Sequence, residues 1–153
     1  MLKTSARLPD NFFVRDYKSG DFPQVKNLWR KTGMGSAERG DTPPVVERTL
    51  RAGGRMLVLV ERTAGLVVGT SWLTSDGRRV NLHHFGILPP FQGKGLAKLL
   101  LAETLKAARK IGFQLKLEVQ RNNTTALGLY QKAGFRKLGD YDIYIIREVN
   151  KLS

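Results

Sequence analysis

The chain has 153 residues and a formal net charge of +13, from 26 basic and 13 acidic side chains. This charge is high for the length and favours a polyanionic ligand or partner, while the length suits one domain with a sizeable core. The sequence contains no cysteine, which excludes disulfides, thiolate metal sites and any acyl intermediate on a cysteine.

The sequence shows no membrane or export segment. No apolar run approaches the length of a transmembrane helix, and the first ten residues lack the hydrophobic stretch of a secretory signal. We therefore expect a cytoplasmic protein with no membrane partner.

Strand-like and helix-like segments alternate through the first third of the chain. Residues 12–17 are predicted to form a strand and residues 21–31 an amphipathic helix. Residues 32–44, rich in Gly, Pro and polar side chains, predict a long loop, and a short helix over residues 45–52 follows. A loop of this length in a small domain is often functional.

The middle of the chain is rich in β-forming residues. Residues 56–62, 66–74 and 79–87 are separated by Ala-Gly and Asp-Gly turns, which predicts an antiparallel meander. An amphipathic helix then begins at Leu96 and ends before Gly112.

The last third predicts a strand, a helix and a strand. Residues 115–119 alternate apolar and charged side chains, residues 124–133 form a helix closed by Gly134, and residues 141–148 form a final strand. No repeat or linker interrupts this order, so we expect one mixed α/β domain over residues 1–153.

A glycine-rich turn connects the meander to the long helix, with the sequence Leu-Pro-Pro-Phe-Gln-Gly-Lys-Gly-Leu-Ala-Lys over residues 88–98. The free N–H groups at a helix start favour an anion such as a phosphate. A P-loop would need Gly at Leu88 and Ser or Thr at Gly95, and a dinucleotide fingerprint would need Gly at Lys98. Neither motif is present.

The remaining pattern, Gln-Gly-Lys-Gly-Leu-Ala over residues 92–97, has the form Gln/Arg-x-x-Gly-x-Gly/Ala and resembles the pyrophosphate-binding motif of the GNAT superfamily of N-acetyltransferases. Residues 117–135, with Leu-Glu-Val-Gln-Arg-Asn-Asn at the start and Leu-Tyr-Gln-Lys-Ala-Gly-Phe at the end, resemble a second segment of that superfamily. The resemblance covers about residues 80–137 and is nearest to ribosomal-protein N-terminal acetyltransferases.

This resemblance implies an α/β fold of the α+β type. Its centre would be a mixed, mostly antiparallel sheet of six to seven strands flanked by helices and splayed at the strand that ends near Ile87. It also implies an acetyl-CoA-dependent N-acetyltransferase, in which a primary amine attacks the thioester directly in a ternary complex.

The same resemblance assigns site residues. The residues expected to bind acetyl-CoA are Phe85, Gly86, Ile87, Gln92, Gly93, Lys94, Gly95, Leu96, Ala97, Lys98, Asn123 and Tyr130. Glu118 corresponds to the general base and Tyr130 to the general acid, a role that suits a phenol protonated at neutral pH. Asn123 could equally cap the following helix.

Several alternatives stay open. Glu118 could be a solvated strand residue paired with Lys116, with His83, His84 or a water molecule as the base. Because adjacent strand residues point to opposite faces, His83 and His84 are not expected to face one site. The two histidines have no carboxylate cluster nearby, which excludes a credible metal site.

Two other classes compete with an acetyltransferase. One is a CoA-binding domain without catalysis, and the other, favoured only by the charge, is a basic nucleic-acid-binding module. The amine acceptor is open among protein N-termini, lysine side chains, amino acids and polyamines, and the loop over residues 32–44 is expected to help bind it. A monomer and a homodimer both fit the sequence.

Overall fold

The structure is a computed structural model that describes residues 8–152. The chain forms two compact units, one ending at Glu118 and the next beginning at Val119. The first unit contains five strands and three α-helices, and the second contains one α-helix within the described residues.

The elements up to residue 132 follow the predicted order. The strands are β1 (Phe12–Asp16), β2 (Arg55–Glu61), β3 (Leu66–Ser75), β4 (Val80–Ile87) and β5 (Leu115–Leu117). The α-helices are α1 (Phe22–Thr32), α2 (Pro43–Arg51), α3 (Leu96–Ile111) and α4 (Thr124–Lys132), with short 3-10 turns at Ser19–Asp21, Ala37–Arg39, Pro89–Phe91 and Val149–Lys151.

The five strands form one mixed sheet in the order β1-β2-β3-β4-β5. The first four are antiparallel neighbours, as the meander predicted, and β5 pairs parallel to β4 after the α3 crossover. The β4–β5 ladder ends at Leu82↔Leu117, whereas β4 continues to Ile87. The sheet is therefore splayed at the end of β4.

The predicted six to seven strands are wrong, because the sheet has five strands within residues 8–152. The prediction of a last strand over residues 141–148 fails, since this segment lies outside every strand ladder in the described part of the chain. Alternating apolar residues favour a strand only when a partner completes the backbone hydrogen bonds. Here Tyr141 and Tyr144 are 76% and 90% exposed, so the pattern covers no core.

The α1 and α3 helices pack on opposite faces of β3. The Trp29 indole of α1 donates to Thr70 Oγ1 at 3.0 Å, while the Thr104 hydroxyl of α3 lies 2.7 Å from that of Ser71. Because Thr70 and Ser71 are adjacent in one strand, their side chains point to opposite faces. The buried β3 strand thus forms the centre of a helix–sheet–helix core.

The second unit is built around α4. The helix begins after Asn123, ends at Lys132, and is followed by Gly134 at φ +105°. The Phe135 N–H donates to the Tyr130 carbonyl at 3.0 Å across this end. The predicted glycine closure of the helix is confirmed.

Candidate active site

The turn between β4 and α3 leaves its main chain open. Gly93 and Gly95 adopt left-handed φ values of +74° and +77°, and Gly95 precedes the first residue of α3 without any side-chain cap. A Cβ added at either glycine would meet nothing within 4 Å. The left-handed φ values favour glycine at both positions, and the N–H groups at a helix start without a side-chain cap can bind an anionic group.

The side chains of the residues next to these glycines contact the end of β4 and the Phe91 ring. The Gln92 amide donates to the Ile87 carbonyl at 2.8 Å, which ties the turn to the end of β4. The Lys94 ammonium lies 5.4 Å from the centroid of the Phe91 ring, within range of a cation–π contact. Of the remaining predicted contact residues in this turn, Leu96 is buried and Lys98 is exposed.

A β-bulge in β4 changes the direction of its histidines. Thr70 pairs with Gly86 and Trp72 with His83, so one residue of β3 lies opposite two residues of β4. His84 in this bulge has a φ of +46°. The Trp72 ring contacts both imidazoles, with centroid distances of 6.0 Å to His83 and 5.4 Å to His84. The prediction that the two histidines cannot face one site is wrong, because the bulge breaks the strand alternation.

Both histidines line a cleft at the end of the β4–β5 ladder. The cleft has a volume of about 220 Å³ and is lined by Asn81, Leu82, His83, His84, Lys116, Leu117 and Glu118. It thus brings the candidate base Glu118 together with the two alternative bases. Every lining residue belongs to the first unit.

Glu118 is accessible from this cleft. Its carboxylate lies 3.7 Å from the Lys116 ammonium, and the two side chains are 57% and 42% exposed. An exposed pair at this distance is weak. The carboxylate is therefore open to a group that enters the cleft.

His83 is held at the rim of the same cleft. One of its ring nitrogens lies 2.8 Å from the Thr74 hydroxyl. Desolvation, with a smaller contribution from the neighbouring His84, lowers the pKa of His83 below its ordinary value, against opposing contributions from Glu118 and Asp41. His83 consequently favours the neutral form, which can accept a proton.

The other two predicted site residues lie in the second unit. Tyr130 is 9% exposed, its ring meets Phe135 edge-on at 5.5 Å, and burial raises the pKa of its phenol above the ordinary value. The phenol is therefore protonated at neutral pH. The Asn123 side-chain oxygen accepts from the Ala126 N–H at 3.2 Å, so the predicted cap is present.

The loop between α1 and α2 contributes a residue that the sequence did not pair with β4. The Asp41 carboxylate lies 3.1 Å from His84 Nε2. No local pattern predicts this contact, because it depends on how the loop folds back over the sheet. The only sequence signals were the length of the loop and its glycines.

Within residues 8–152, no group of three His, Asp or Glu side chains could hold a metal ion. The same residues contain no helix that is both long and apolar enough to cross a bilayer.

Comparisons with known proteins agree with this architecture. A family model described as Acetyltransferase (GNAT) family matches residues 22–135. Similar solved structures include the ribosomal-protein-S18-alanine N-acetyltransferase from Escherichia coli, at 18% identity and a TM-score of 0.70, covering 84% of this chain and 79% of that chain.

Two further solved structures share the fold. The spermidine N-acetyltransferase from Vibrio cholerae, a dodecamer, matches at 21% identity and a TM-score of 0.70, covering 86% of this chain and 82% of that one. A GNAT family acetyltransferase from Elizabethkingia anophelis with acetyl-CoA bound matches at 20% identity and a TM-score of 0.62, covering 86% and 80%.

Proposed function

Because this chain belongs to the GNAT acetyltransferase family and is thus an acyltransferase that uses acetyl-CoA, we propose that it transfers the acetyl group to a primary amine. The amine attacks the thioester directly in a ternary complex, since the chain has no cysteine to carry the acetyl group. This proposal includes a single acetyltransferase domain over residues 1–153, acting in the cytoplasm as a monomer or homodimer. The family match supports one domain, because it runs across the boundary between the two units.

The open turn at the start of α3 is the observation that carries the proposal. Its uncapped N–H groups, the left-handed Gly93 and Gly95, and the nearby Lys94 suit the pyrophosphate of acetyl-CoA. Gln92 holds this turn against β4, and Leu96, Ala97 and Lys98 supply the first main-chain donors of the helix. Asn123 is assigned to the cofactor only through the family resemblance, since its side chain caps α4.

The pantetheine arm is assigned to β4 past the end of the β4–β5 ladder. Phe85, Gly86 and Ile87 lie between Leu82, the last residue paired with β5, and the Pro-Pro turn. Proline cannot continue a strand ladder. A row of amides can therefore lie along this part of β4, with its thioester near the cleft.

The proton transfers are assigned to Glu118 and Tyr130. Glu118 takes a proton from the attacking amine, and its accessibility in the cleft supports this role. Tyr130 gives its proton to the departing CoA thiolate, and its raised pKa supports a phenol that is protonated before each turnover. His83 is the second candidate for the base, because it shares the cleft and favours the neutral form.

The acceptor is assigned only as a primary amine. The two neighbours named for an alanine and for spermidine share 18% and 21% identity with this chain and so share its fold alone. A net charge of +13 repels a polycation. We therefore rank protein or peptide amines and small monoamines above polyamines.

The decisive experiment measures two quantities on the purified chain. Calorimetric titration gives the affinity for acetyl-CoA, and release of free thiol is followed with a panel of peptides, amino acids, lysine analogues and polyamines. Binding together with amine-dependent thiol release supports the proposal. Binding without release from any amine contradicts catalysis and indicates a CoA-binding domain, whereas salt-dependent duplex binding without acetyl-CoA affinity indicates a nucleic-acid-binding module.

A further inference from the structure

The cleft beside β4 contains a primary amine that belongs to the protein itself. Lys116 and Glu118 both line this cleft, and because they are two residues apart at the end of β5, their side chains lie on one face. The Lys116 ammonium nitrogen is 3.7 Å from a carboxylate oxygen of Glu118, and 42% of the lysine side chain is exposed. The amine of Lys116 is therefore accessible to a group that enters the cleft.

The backbone of Lys116 is held by the sheet. Its Cα pairs with that of Asn81 in the parallel ladder between β4 and β5, and the Val80 N–H donates to the Gln114 carbonyl at 2.9 Å just before this ladder. The flexible four-carbon side chain carries the amine from this fixed point. Small displacements of the amine thus require rotation of the side chain alone.

Both charged groups act on the histidine at the cleft rim. The pKa of His83 is lowered mainly by desolvation and then by the neighbouring His84. Among the smaller contributions, Glu118 raises this pKa and Lys116 lowers it. Because such effects fall off with distance, the charged ends of both side chains reach toward the His83 ring.

The proposed general base determines where an attacking amine must lie. A base takes a proton from a nitrogen at about 2.6–3.2 Å, the range of a hydrogen bond. The Lys116 nitrogen is already 3.7 Å from the Glu118 carboxylate, so a shift of about 0.5–1 Å brings it into that range. Lys116 consequently holds its amine next to the position required of the acceptor nitrogen.

The thioester of acetyl-CoA is assigned to the same cleft. The pantetheine arm is assigned to β4 beyond Leu82, where the ladder with β5 ends, and Leu82 and Leu117 both line the cleft. A bound thioester and the Lys116 amine therefore share one cleft, and in this respect the inference rests on the proposed function.

A second lysine–glutamate pair has different surroundings and serves as a reference. The Lys106 ammonium lies 2.7 Å from the Glu103 carboxylate on α3, and 58% of the Lys106 side chain is exposed. This pair lines a groove with residues of β1 and β2, and that groove shares no residue with the cleft beside β4. Lys106 is thus an accessible, acid-paired lysine away from the proposed thioester position.

We propose that Lys116 is an acetylation site of this chain, modified by the acetyl-CoA bound to the same molecule. After Glu118 has taken a proton from it, the Lys116 nitrogen attacks the carbonyl carbon of the thioester. The C–N bond forms, and the C–S bond breaks with its electron pair on sulfur. Of the two protons that the nitrogen loses, one passes through Glu118 to solvent, and the other replaces the proton that the CoA thiolate takes up. The products are an acetylated Lys116 and free CoA.

The first test requires no external acceptor. The chain is incubated with acetyl-CoA, and acetylated lysines are located and quantified by peptide mass spectrometry. We expect Lys116 to be acetylated about a hundredfold faster than Lys106, because a bound donor and a neighbouring base act on Lys116 alone. In urea-unfolded chain the two rates should be equal. Equal rates in the folded chain would overturn the inference.

The modification should take place within one molecule. At saturating acetyl-CoA, the rate constant for acetylation of Lys116 should not change with protein concentration, and the chain without acceptor should release at most a single thiol per molecule. Lys116→Arg keeps the positive charge without an amine that can be acetylated and should abolish this release, whereas Lys106→Arg should keep it. A rate constant proportional to protein concentration, or full release in Lys116→Arg, would overturn the inference.

The role of the neighbouring carboxylate is tested with a matched pair of variants. Glu118→Gln should slow the acetylation of Lys116 about a hundredfold, the range expected for loss of a general base. Glu103→Gln removes the carboxylate beside Lys106 and should leave the rate at Lys116 unchanged. An unaltered rate at Lys116 in Glu118→Gln would overturn the inference.

A protection experiment locates Lys116 without any acetyl transfer. The chain is saturated with S-ethyl-CoA, a thioether that has no acetyl group to transfer, and its lysines are then labelled with an amine-reactive N-hydroxysuccinimide ester. The bound ligand should slow the labelling of Lys116 about threefold or more and leave that of Lys106 unchanged. Equal labelling of Lys116 with and without the ligand would overturn the inference.

These outcomes differ from those that test the proposed function. Thiol release driven by external amines, together with equal acetylation of Lys116 and Lys106, would overturn the inference and leave the proposed function supported. Rapid acetylation of Lys116 in a chain from which no external amine releases thiol would support the inference and contradict transfer to an acceptor.

Discussion

The hydroxyl of Ser71 in β3 lies 2.7 Å from the hydroxyl of Thr104 in α3, and both side chains are fully buried. Thr104 also donates to the Leu100 carbonyl at 2.8 Å. Because the Thr104 proton is already used, Ser71 is the donor between the two hydroxyls. This bond joins the long helix to the centre of the sheet.

The two partners are therefore not equivalent. Thr104→Val keeps the shape but leaves the Ser71 hydroxyl buried without an acceptor, so we expect a loss of about 1–3 kcal/mol in the free energy of unfolding. Ser71→Ala leaves Thr104 bonded to Leu100 and should cost less than Thr104→Val. Urea denaturation measures both values, and an equal cost for the two variants would contradict this assignment of donor and acceptor.

The sequence predicted those features of the fold that depend on a few neighbouring residues. The amphipathic period of α3, the glycine after α4 and the Asn123 cap are each set by a few neighbouring residues, and each is confirmed. The glycine turn before α3 was predictable for the same reason, since its backbone at Gly93 and Gly95 needs residues without a Cβ.

Contacts between distant segments were not predictable in this way. The bulge at His84 depends on Trp29 and Trp72 packing around its ring, and the Asp41 contact depends on the path of a loop without a periodic pattern. The prediction of a last strand over residues 141–148 failed for a different reason. Its alternating pattern is present, but no partner strand pairs with it within the described residues. Strand formation requires such a partner.

The ion pair at the start of α1 should make stability depend on acidic pH. Both oxygens of Asp21 accept from Arg15, at 2.7 and 2.9 Å, and these bonds lower the pKa of the Asp21 carboxyl below its ordinary value. A lowered folded-state pKa stabilises the protein fully above the unfolded value of about 3.9 and loses this effect as the pH falls through the folded value.

We therefore expect Asp21→Asn to lower the free energy of unfolding by about 1–3 kcal/mol at pH 7 and by progressively less in acid. Urea denaturation at pH 7 and near pH 3 checks the trend. Asp16→Asn is the matched control, because Asp16 also pairs with an arginine but is 60% exposed; it should cost less than about 1 kcal/mol. A difference that grows in acid would refute the assignment.

Alanine substitutions at Gly95, the residue before α3, and at Gly53 distinguish an effect on ligand binding from the effect of backbone strain alone. Gly95 and Gly53 both have left-handed φ values, +77° and +95°, and an added Cβ meets nothing within 4 Å at either position. Alanine at each should therefore cost a similar amount of stability, about 1–2 kcal/mol. Gly53 lies between α2 and β2, away from the turn assigned to the pyrophosphate.

We expect Gly95→Ala to raise the Kd for acetyl-CoA about tenfold or more, through distortion of the uncapped helix start, while Gly53→Ala leaves it within about twofold. Calorimetric titration at a temperature where both variants are folded gives the two constants. Equal Kd values for the two variants would contradict the assignment of this turn to the cofactor site.

Tyr130→Phe removes the proposed acid without removing the ring that packs on Phe135. We expect kcat to fall about a hundredfold or more, with a small change in the Kd for acetyl-CoA, because the proton reaches the thiolate only during turnover. The matched control is Tyr141→Phe in the same unit, where the side chain is 76% exposed. Unchanged turnover in Tyr130→Phe would refute its role as the acid.

Glu118 and His83, the first and second candidates for the base, are distinguished by the pH dependence of their variants. If Glu118 takes the proton, Glu118→Gln should lower kcat/KM about a hundredfold at pH 7, and the deficit should shrink as rising pH deprotonates the free amine without help. His83→Gln should then change kcat/KM by less than about tenfold, since it alters only the Thr74 contact and the cleft rim. A large, pH-dependent loss in His83→Gln with a near-normal Glu118→Gln would transfer the role to His83, whose lowered pKa already favours the proton-accepting form.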